Sequence, residues 1–213
     1  MNSYRKIDLE TWPRRELFAF YRSFDAPCYN LTVKVEAEPI QAFAKARGES
    51  FFLLSLYAIL RAANAVPQLR QRIVEGEVIE FEQIAVMTPI MTESEMFHQV
   101  WCEYEPDFST FRDRVAPEVE RAKRSLPSPL VEHGEDFLCA SCVPWTHFES
   151  ITQAEYGFHQ SIPILTWGKL RDGRIPIGIK LNHCFADGLH VSRFFAAVEQ
   201  GFTAPETLLK ATQ

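Results

Sequence analysis

The chain has 213 residues, of which 46% are hydrophobic and 23% are charged. These ordinary globular values exclude a disordered, collagen-like or coiled-coil chain. The formal net charge of −6 argues against nucleic acid or an anionic membrane surface as a partner. Seventeen Phe against six Tyr indicate a core or pocket rich in rings without polar groups.

The chain shows no internal repeat, low-complexity tract or Gly/Ser linker, which predicts a single domain over residues 1–213. Its first nine residues are polar and charged, unlike a secretory signal. The longest apolar stretch, Phe51–Val66, is too short to span a bilayer. We therefore expect a cytoplasmic protein.

The first third of the chain predicts three helices and one strand. Thr11 and Pro13 suit the start of a helix. An apolar stripe at positions i, i+3, i+4 and i+7 follows, formed by Leu17, Phe20, Tyr21 and Phe24. The next predicted elements are a strand over Leu31–Glu36, a helix over Ile40–Arg47 and a buried helix over Phe51–Val66.

The rest of the chain predicts hairpins and two further helices. Gly76 and the pair Asp172-Gly173 are turn signals between β-branched segments. Further strands are predicted over residues 84–91, 97–103 and 137–143, and helices over residues 108–126 and 191–198. This mixture predicts an α/β two-layer sandwich in which helices cover a mixed β-sheet. Neither a GxGxxG nor a Walker motif occurs.

The segment from Leu181 to Gly188 is the most informative motif. It places His183 at the end of an apolar strand and Gly188 just before a helix, a junction that exposes a side chain while its backbone is held. Histidine is the commonest general base because its pKa is near neutrality. The residues alone leave a second interpretation open, in which His183 is structural and Asp187-Gly188 is an ordinary turn.

The spacing His183-x-x-x-Asp187-Gly188 resembles the signature of the chloramphenicol acetyltransferase family, which is shared more loosely with dihydrolipoamide acyltransferases. Two further blocks resemble the same family, in its order and spacing: residues 12–21, from Trp12 to Tyr21, and Ser141-Cys142-Val143-Pro144-Trp145. Phe195 matches the helix that follows the signature.

The resemblance implies a role for each matching residue. His183 would be the general base that activates an acceptor hydroxyl for direct attack on acetyl-CoA, and Ser141 would stabilise the oxyanion. Asp187 and Arg14 would form a buried ion pair that fixes the catalytic loop. The acceptor pocket would include Tyr21, Cys28 and Tyr29, and the CoA channel would border Thr166 and Lys169. The family also implies a homotrimer whose active sites lie at subunit interfaces, with no metal.

The charge distribution offers one route for the polyanionic co-substrate. Residues 169–180 carry Lys169, Arg171, Arg174 and Lys180 against one carboxylate. This segment would receive phosphates or, equally well, be a solvated hairpin. Chloramphenicol is the leading acceptor; another small hydroxylated acceptor, or a non-catalytic ligand-binding relative, is the alternative.

The five cysteines are expected to be free thiols in a reducing compartment. Cys139 and Cys142 have CxxC spacing, but residues three apart on a strand face opposite sides, which disfavours a redox or metal pair. Cys184 and His183 are adjacent on an extended segment, which disfavours a thiol nucleophile for the same reason. The chain departs from the family pattern at Asn182, where a second His is common, and at Ser50, where many members have Lys. The loop around residues 28–30 is one residue shorter than in well-known members of the family.

Overall fold

The computed structural model describes residues 2–124, 134–154 and 161–209. The strands are β1 Tyr4–Lys6, β2 Cys28–Glu36, β3 Gln71–Val74, β4 Glu77–Phe81, β5 Ala85–Met91, β6 Phe97–Cys102, β7 Phe137–Val143, β8 Ile164–Gly168 and β9 Arg174–Asn182. The α-helices are α1 Arg15–Arg22, α2 Glu38–Arg47, α3 Phe51–Asn64, α4 Phe108–Arg124 and α5 Gly188–Thr203. Short 3-10 helices span Pro67–Arg70 and Pro205–Leu209. The last two residues of the helix predicted over 108–126 lie outside the described residues.

The main sheet has six strands in the order β2-β9-β8-β7-β5-β6. Strand β7 pairs in parallel with β5 and β8, whereas the remaining pairs are antiparallel. A second sheet of three strands has the order β1-β4-β3. The predicted α/β fold with a mixed sheet is confirmed.

The two faces of the main sheet differ because side chains alternate along each strand. Positions such as Ala140, Leu165 and Ile177 belong to the large core cluster that also contains buried residues of α2, α3, α4 and α5. We call the other side the helix-free face, since in the described parts of the chain no α-helix belongs to its cluster around Met87 and Phe137. The register places Ser141, Thr166 and Gly178 side by side on this face.

Both predicted turns have the backbone that their sequences favour. Asp172 and Gly173 have φ values of 51° and 74°, and Glu75 and Gly76 have 51° and 85°. Two successive positive φ angles are typical of a tight type I′ hairpin, which suits the twist of the strands. The turn at residues 172–173 joins β8 to β9, which pair in antiparallel from Trp167 and Ile177 onward.

Helix α1 differs from the prediction in what its apolar stripe does. None of its residues is buried, and Leu17 and Phe20 remain 45% and 57% exposed. The helix begins after Arg14 rather than at a Thr11 cap, and Arg14 makes no capping bond to it. Within one chain, therefore, most of the stripe is an apolar surface and not a core face, whereas Tyr21 packs against the cluster around Phe185.

Helix α3 is the buried helix that the sequence predicts. Its central residues Tyr57 and Leu56 are fully buried. The Ser50 hydroxyl accepts a hydrogen bond from the Leu53 backbone N at 3.3 Å and caps the helix. Among the described residues, no helix has the length and apolar character needed to cross a membrane.

Candidate active site

His183 lies one residue beyond the end of β9. Its backbone N donates to the Pro27 carbonyl at 2.9 Å, and Asn182 pairs with Cys28 across the β2–β9 ladder. The backbone is therefore fixed on both sides of a side chain that remains 29% exposed. This is the junction that the sequence motif predicts.

Arg14 holds the loop after His183 in place. Its guanidinium donates to both carboxylate oxygens of Asp187 at 2.5 Å. It also donates to the backbone carbonyls of Cys184 and His183 at 2.8 and 2.9 Å. The Arg14 side chain is only 11% exposed, so this two-pronged ion pair is largely shielded from water. Its hydrogen bonds hold the pKa of Asp187 below its ordinary value.

Two tyrosine rings enclose the imidazole of His183. The ring of Tyr21 stacks on it at 4.0 Å between centroids with an angle of 8°, and the Tyr29 ring lies at 4.5 Å. The Tyr29 hydroxyl donates to the Ala186 carbonyl at 3.2 Å. Burial raises the pKa of Tyr29 to about 12, so its hydroxyl stays protonated at neutral pH. Tyr21, Cys28 and Tyr29 are thus brought to His183 within one chain.

The contact between His183 and Asp187 is electrostatic. Nδ1 of His183 is 3.1 Å from Oδ1 of Asp187, within ion-pair distance. The buried Nδ1 nevertheless has no hydrogen-bond partner in the described part of the chain, so the alignment is poor although the distance is short. A short distance without hydrogen-bond alignment does not hold a ring in one orientation. The stacked ring and the backbone bond, rather than Asp187, fix the orientation of the imidazole.

Ser141 and Thr166 lie elsewhere on the sheet. They are register partners on β7 and β8, and Thr166 pairs in turn with Gly178 on β9. Because His183 is five residues farther along the chain than Gly178, it lies on the order of 16 Å away along the strand direction. The Ser141 hydroxyl is half-buried and makes no hydrogen bond to the described residues. A single chain does not bring Ser141 to His183.

Lys169 borders a cavity of about 660 Å³ on the helix-covered side of the sheet. Its walls include Phe51, Phe52, Trp145, Trp167, Lys123 and Cys142. Phe52 and Trp167 stack at 5.7 Å. Trp167 and Cys142 line this cavity, and each directly follows Thr166 or Ser141 in its strand. Because successive side chains of a strand alternate, Thr166 and Ser141 point away from the cavity, to the helix-free face. Lys169 and Thr166 therefore do not border the same space within one chain.

The cationic segment over residues 169–180 is not one surface patch. Lys180 is 2% exposed, and its Nζ donates to the Gln153 carbonyl at 2.7 Å. The segment around Ile151 and Gln153 crosses the helix-free face at this point and covers Lys180. Arg171 and Arg174 lie at the tip of the hairpin. Closeness along the chain does not make these four cations a cluster, because successive residues of a strand occupy opposite faces.

The cysteines have the environment of packed thiols. All five are free. Burial raises the pKa of Cys139 to about 11 and that of Cys142 to about 12, and the two side chains point to opposite faces of β7. Cys184 is buried in the cluster with Val78 and Phe185. The described residues contain no group of three or more His, Cys, Asp or Glu side chains suited to a metal ion.

Sequence reasoning missed two contributors to this site. Pro27, which lies just beyond α1, supplies the carbonyl that fixes the His183 backbone. His190 accepts a hydrogen bond at Nδ1 from the Asp187 backbone N at 2.9 Å. The spacing of Asp187 and His190, with a side-chain acceptor three residues after a helix cap, is the signal that predicts such a reciprocal cap.

Comparison with known proteins assigns the family. The family model described as "Chloramphenicol acetyltransferase" matches residues 1–199. The chain is 29% identical over 206 residues to chloramphenicol acetyltransferase 2 of Escherichia coli, covering 92% of this chain and 96% of that protein. It is 30% identical over 209 residues to chloramphenicol acetyltransferase 2 of Haemophilus influenzae, with the same coverages.

Solved structures agree. One chloramphenicol acetyltransferase superposes with a TM-score of 0.84 at 32% identity and covers 98% of this chain and 100% of its own. The dihydrolipoamide acetyltransferase of Azotobacter vinelandii has a TM-score of 0.66 at 13% identity, covering 92% of this chain and 88% of its own, which shows a shared fold alone. With the family model matching nearly the whole chain, this protein belongs to the chloramphenicol acetyltransferase family.

Proposed function

We propose that this protein is an acetyl-CoA-dependent O-acetyltransferase that acetylates a hydroxyl of chloramphenicol, by direct transfer with His183 as general base. The observation that carries the proposal is the fixed imidazole. Its backbone is held at Pro27, its ring is stacked on Tyr21, and its loop is held by Arg14 and Asp187. Family membership supplies the reaction class.

The chemistry that we assign to His183 is a proton transfer in two directions. Nε2, across the ring from the buried Nδ1, takes the proton of the acceptor hydroxyl as its oxygen attacks the thioester carbonyl carbon. The C–S bond then breaks, and the imidazolium returns the proton to the CoA thiolate. A positioned base contributes roughly 10²–10⁴-fold to such a step.

Ser141 is the residue that we assign to the oxyanion. A hydroxyl with no hydrogen-bond partner among the described residues is suited to donate to a developing negative charge, and one such donor contributes roughly 10²–10³-fold. Since Ser141 and His183 are far apart in one chain, we propose that they meet across subunits of a homotrimer. The exposed side chains of α1, such as Leu17 and Phe20, form a surface that such an assembly would cover.

For acetyl-CoA we propose the cavity bordered by Lys169 and Lys123. Aromatic walls such as Phe52 and Trp167 suit the apolar part of the co-substrate, and the ammonium group of Lys169 suits its phosphates. The ammonium group of Lys123 pairs with Glu120 at 2.5 Å and would have to exchange this partner for a phosphate. Thr166 faces the opposite side of the sheet, beside Ser141, so it does not border this cavity within one chain. We further propose that the enzyme acts in the cytoplasm, where acetylation would confer resistance to the antibiotic.

The decisive experiment is a thiol-release assay on the purified protein with acetyl-CoA, with and without chloramphenicol. We expect thiol release that requires the drug and falls at least about 10²-fold in His183→Ala. The matched control is His98→Ala, a histidine on β6 at the edge of the main sheet farthest from β9 and β2.

Turnover only with a different alcohol would replace chloramphenicol as the acceptor and keep the mechanism. Drug and CoA binding without acetyl transfer in the wild type would instead support a non-catalytic relative.

A further inference from the structure

We propose that His190 is a positioning residue for the catalytic loop. It holds Asp187 in the orientation that the ion pair with Arg14 requires, and it does so only while its imidazole is neutral. This inference rests on the proposed function for its activity readout. It concerns a side chain outside the acceptor and CoA sites described above.

The geometry fixes the hydrogen-bonding state of the His190 ring. The Asp187 backbone N is 2.9 Å from His190 Nδ1. A backbone N–H only donates, so Nδ1 accepts and the ring proton is on Nε2. In the opposite direction, the His190 backbone N donates to the Asp187 carbonyl at 2.9 Å. These reciprocal bonds close the first turn of α5 and fix the backbone of Asp187.

Asp187 has little freedom once this cap is closed. Its carboxylate receives both prongs of the Arg14 guanidinium, which also holds the carbonyls of His183 and Cys184. A rotation of the Asp187 backbone would move the carboxylate away from Arg14 and release those carbonyls. The His190 cap thus acts on His183 through two intervening side chains.

Protonation of His190 would open this arrangement. With a proton on Nδ1, two donors face each other and the bond to the Asp187 N–H is lost. The charged groups that act on His190 are Arg14 from the segment before α1, Asp187 at the cap and Arg193 one turn along α5. Burial, with the nearby Arg14 charge, lowers the pKa of His190 below its usual value, whereas Asp187 opposes this. The neutral, capping form is therefore favoured at neutral pH.

The sign of the pH effect follows from this. The unfolded chain binds the proton of His190 more readily than the folded chain, so the stabilisation is complete above a pH of about 6.5 and declines below it. Asn supplies an acceptor, Oδ1, in the position of Nδ1 but does not titrate in this range. His190→Asn therefore keeps the hydrogen bond to the Asp187 N–H while it removes the group that can become positively charged.

The test compares His190→Ala, His190→Asn and Ser192→Ala between pH 8 and pH 5.5, in acetyl transfer and in urea unfolding. Ser192 is a matched control because its hydroxyl donates to the Gly188 carbonyl at 2.8 Å on the same turn of α5 without touching Asp187. At pH 8 we expect kcat to fall about tenfold in His190→Ala, with KM for acetyl-CoA little changed, and to be retained in His190→Asn and Ser192→Ala. On acidification, we expect the ratio of the kcat of His190→Asn to the wild-type kcat to rise about threefold. We also expect the urea midpoint of His190→Asn to fall less than that of the wild type.

The proposal is overturned if His190→Ala and His190→Asn behave alike, if Ser192→Ala loses as much as His190→Ala, or if the His190→Asn to wild-type ratio is constant with pH. If the wild type transfers no acetyl group, the proposed function is wrong, and the unfolding data alone decide the role of His190.

Discussion

At the scale of single residues, the central feature is that one arginine side chain provides the hydrogen bonds for the loop that follows His183. Arg14 satisfies the Asp187 carboxylate and two backbone carbonyls, of Cys184 and His183, that a sharp turn would otherwise leave exposed. Arginine is suited to this because its donors are arranged in a rigid plane, which a lysine ammonium does not reproduce.

Replacing this arginine tests the loop directly. We expect Arg14→Lys to lower the free energy of unfolding by about 2 kcal/mol, because several charge-assisted hydrogen bonds are lost while the charge remains. Chemical denaturation at pH 7 measures the loss. The control Arg15→Lys, next along the chain and exposed, should change the free energy by no more than about 0.5 kcal/mol. Equal effects in the two variants would contradict the role given to Arg14.

At the scale of elements, strand β9 is the element that positions His183, because His183 directly follows its last residue. The middle of β9 is crossed closely by the segment around Ile151. A Cβ built on Gly178 would collide with Cγ2 of Ile151 and lie 3.2 Å from Oγ1 of Thr32. Gly178 therefore lets this segment cross the strand, and Gln153 Nε2 donates to the Gly178 carbonyl at 3.0 Å.

A methyl group at this crossing should be costly. We expect Gly178→Ala to destabilise the protein by about 1–3 kcal/mol, and the double variant with Ile151→Ala to recover part of the loss. Thermal unfolding of the two variants measures both effects. Gly188→Ala is the control for stability, since no atom lies within 4 Å of its added Cβ; a loss as large as that of Gly178→Ala would mean that crowding is not the cause.

At the scale of the whole molecule, the two groups assigned to catalysis lie apart in one chain. Strand β8 separates β7, which carries Ser141, from β9, which ends at His183. The proposed sites shared between subunits would resolve this separation without any change of fold, since a head-to-tail ring repeats the same contact at every interface.

Mixed subunits test sharing. When His183→Ala and Ser141→Ala chains are co-expressed in equal amounts and assemble at random, each site has both wild-type groups in about a quarter of cases. We therefore expect about a quarter of the wild-type thiol release from the mixture, although each variant alone is nearly inactive. Activity no higher than the average of the two variants would exclude shared sites, and sedimentation should report a trimer.

The sequence by itself determined most of the strands, both turns and the position of the His183 motif, because these depend on alternation, on turn residues and on spacing along the chain. The β7 prediction over residues 137–143, the turn at Asp172-Gly173 and the placement of His183 at a strand end are confirmed for that reason. The sequence did not predict β1, and it began β2 at Leu31 rather than at Cys28.

Only the tertiary structure decided which predicted residues meet. It exposed the apolar stripe of α1, buried Lys180 and put Ser141 and Cys142 on opposite faces of the sheet, and it gave Pro27 and His190 their contacts. Such facts depend on which element packs over which face, and distances along the chain carry no information about that packing.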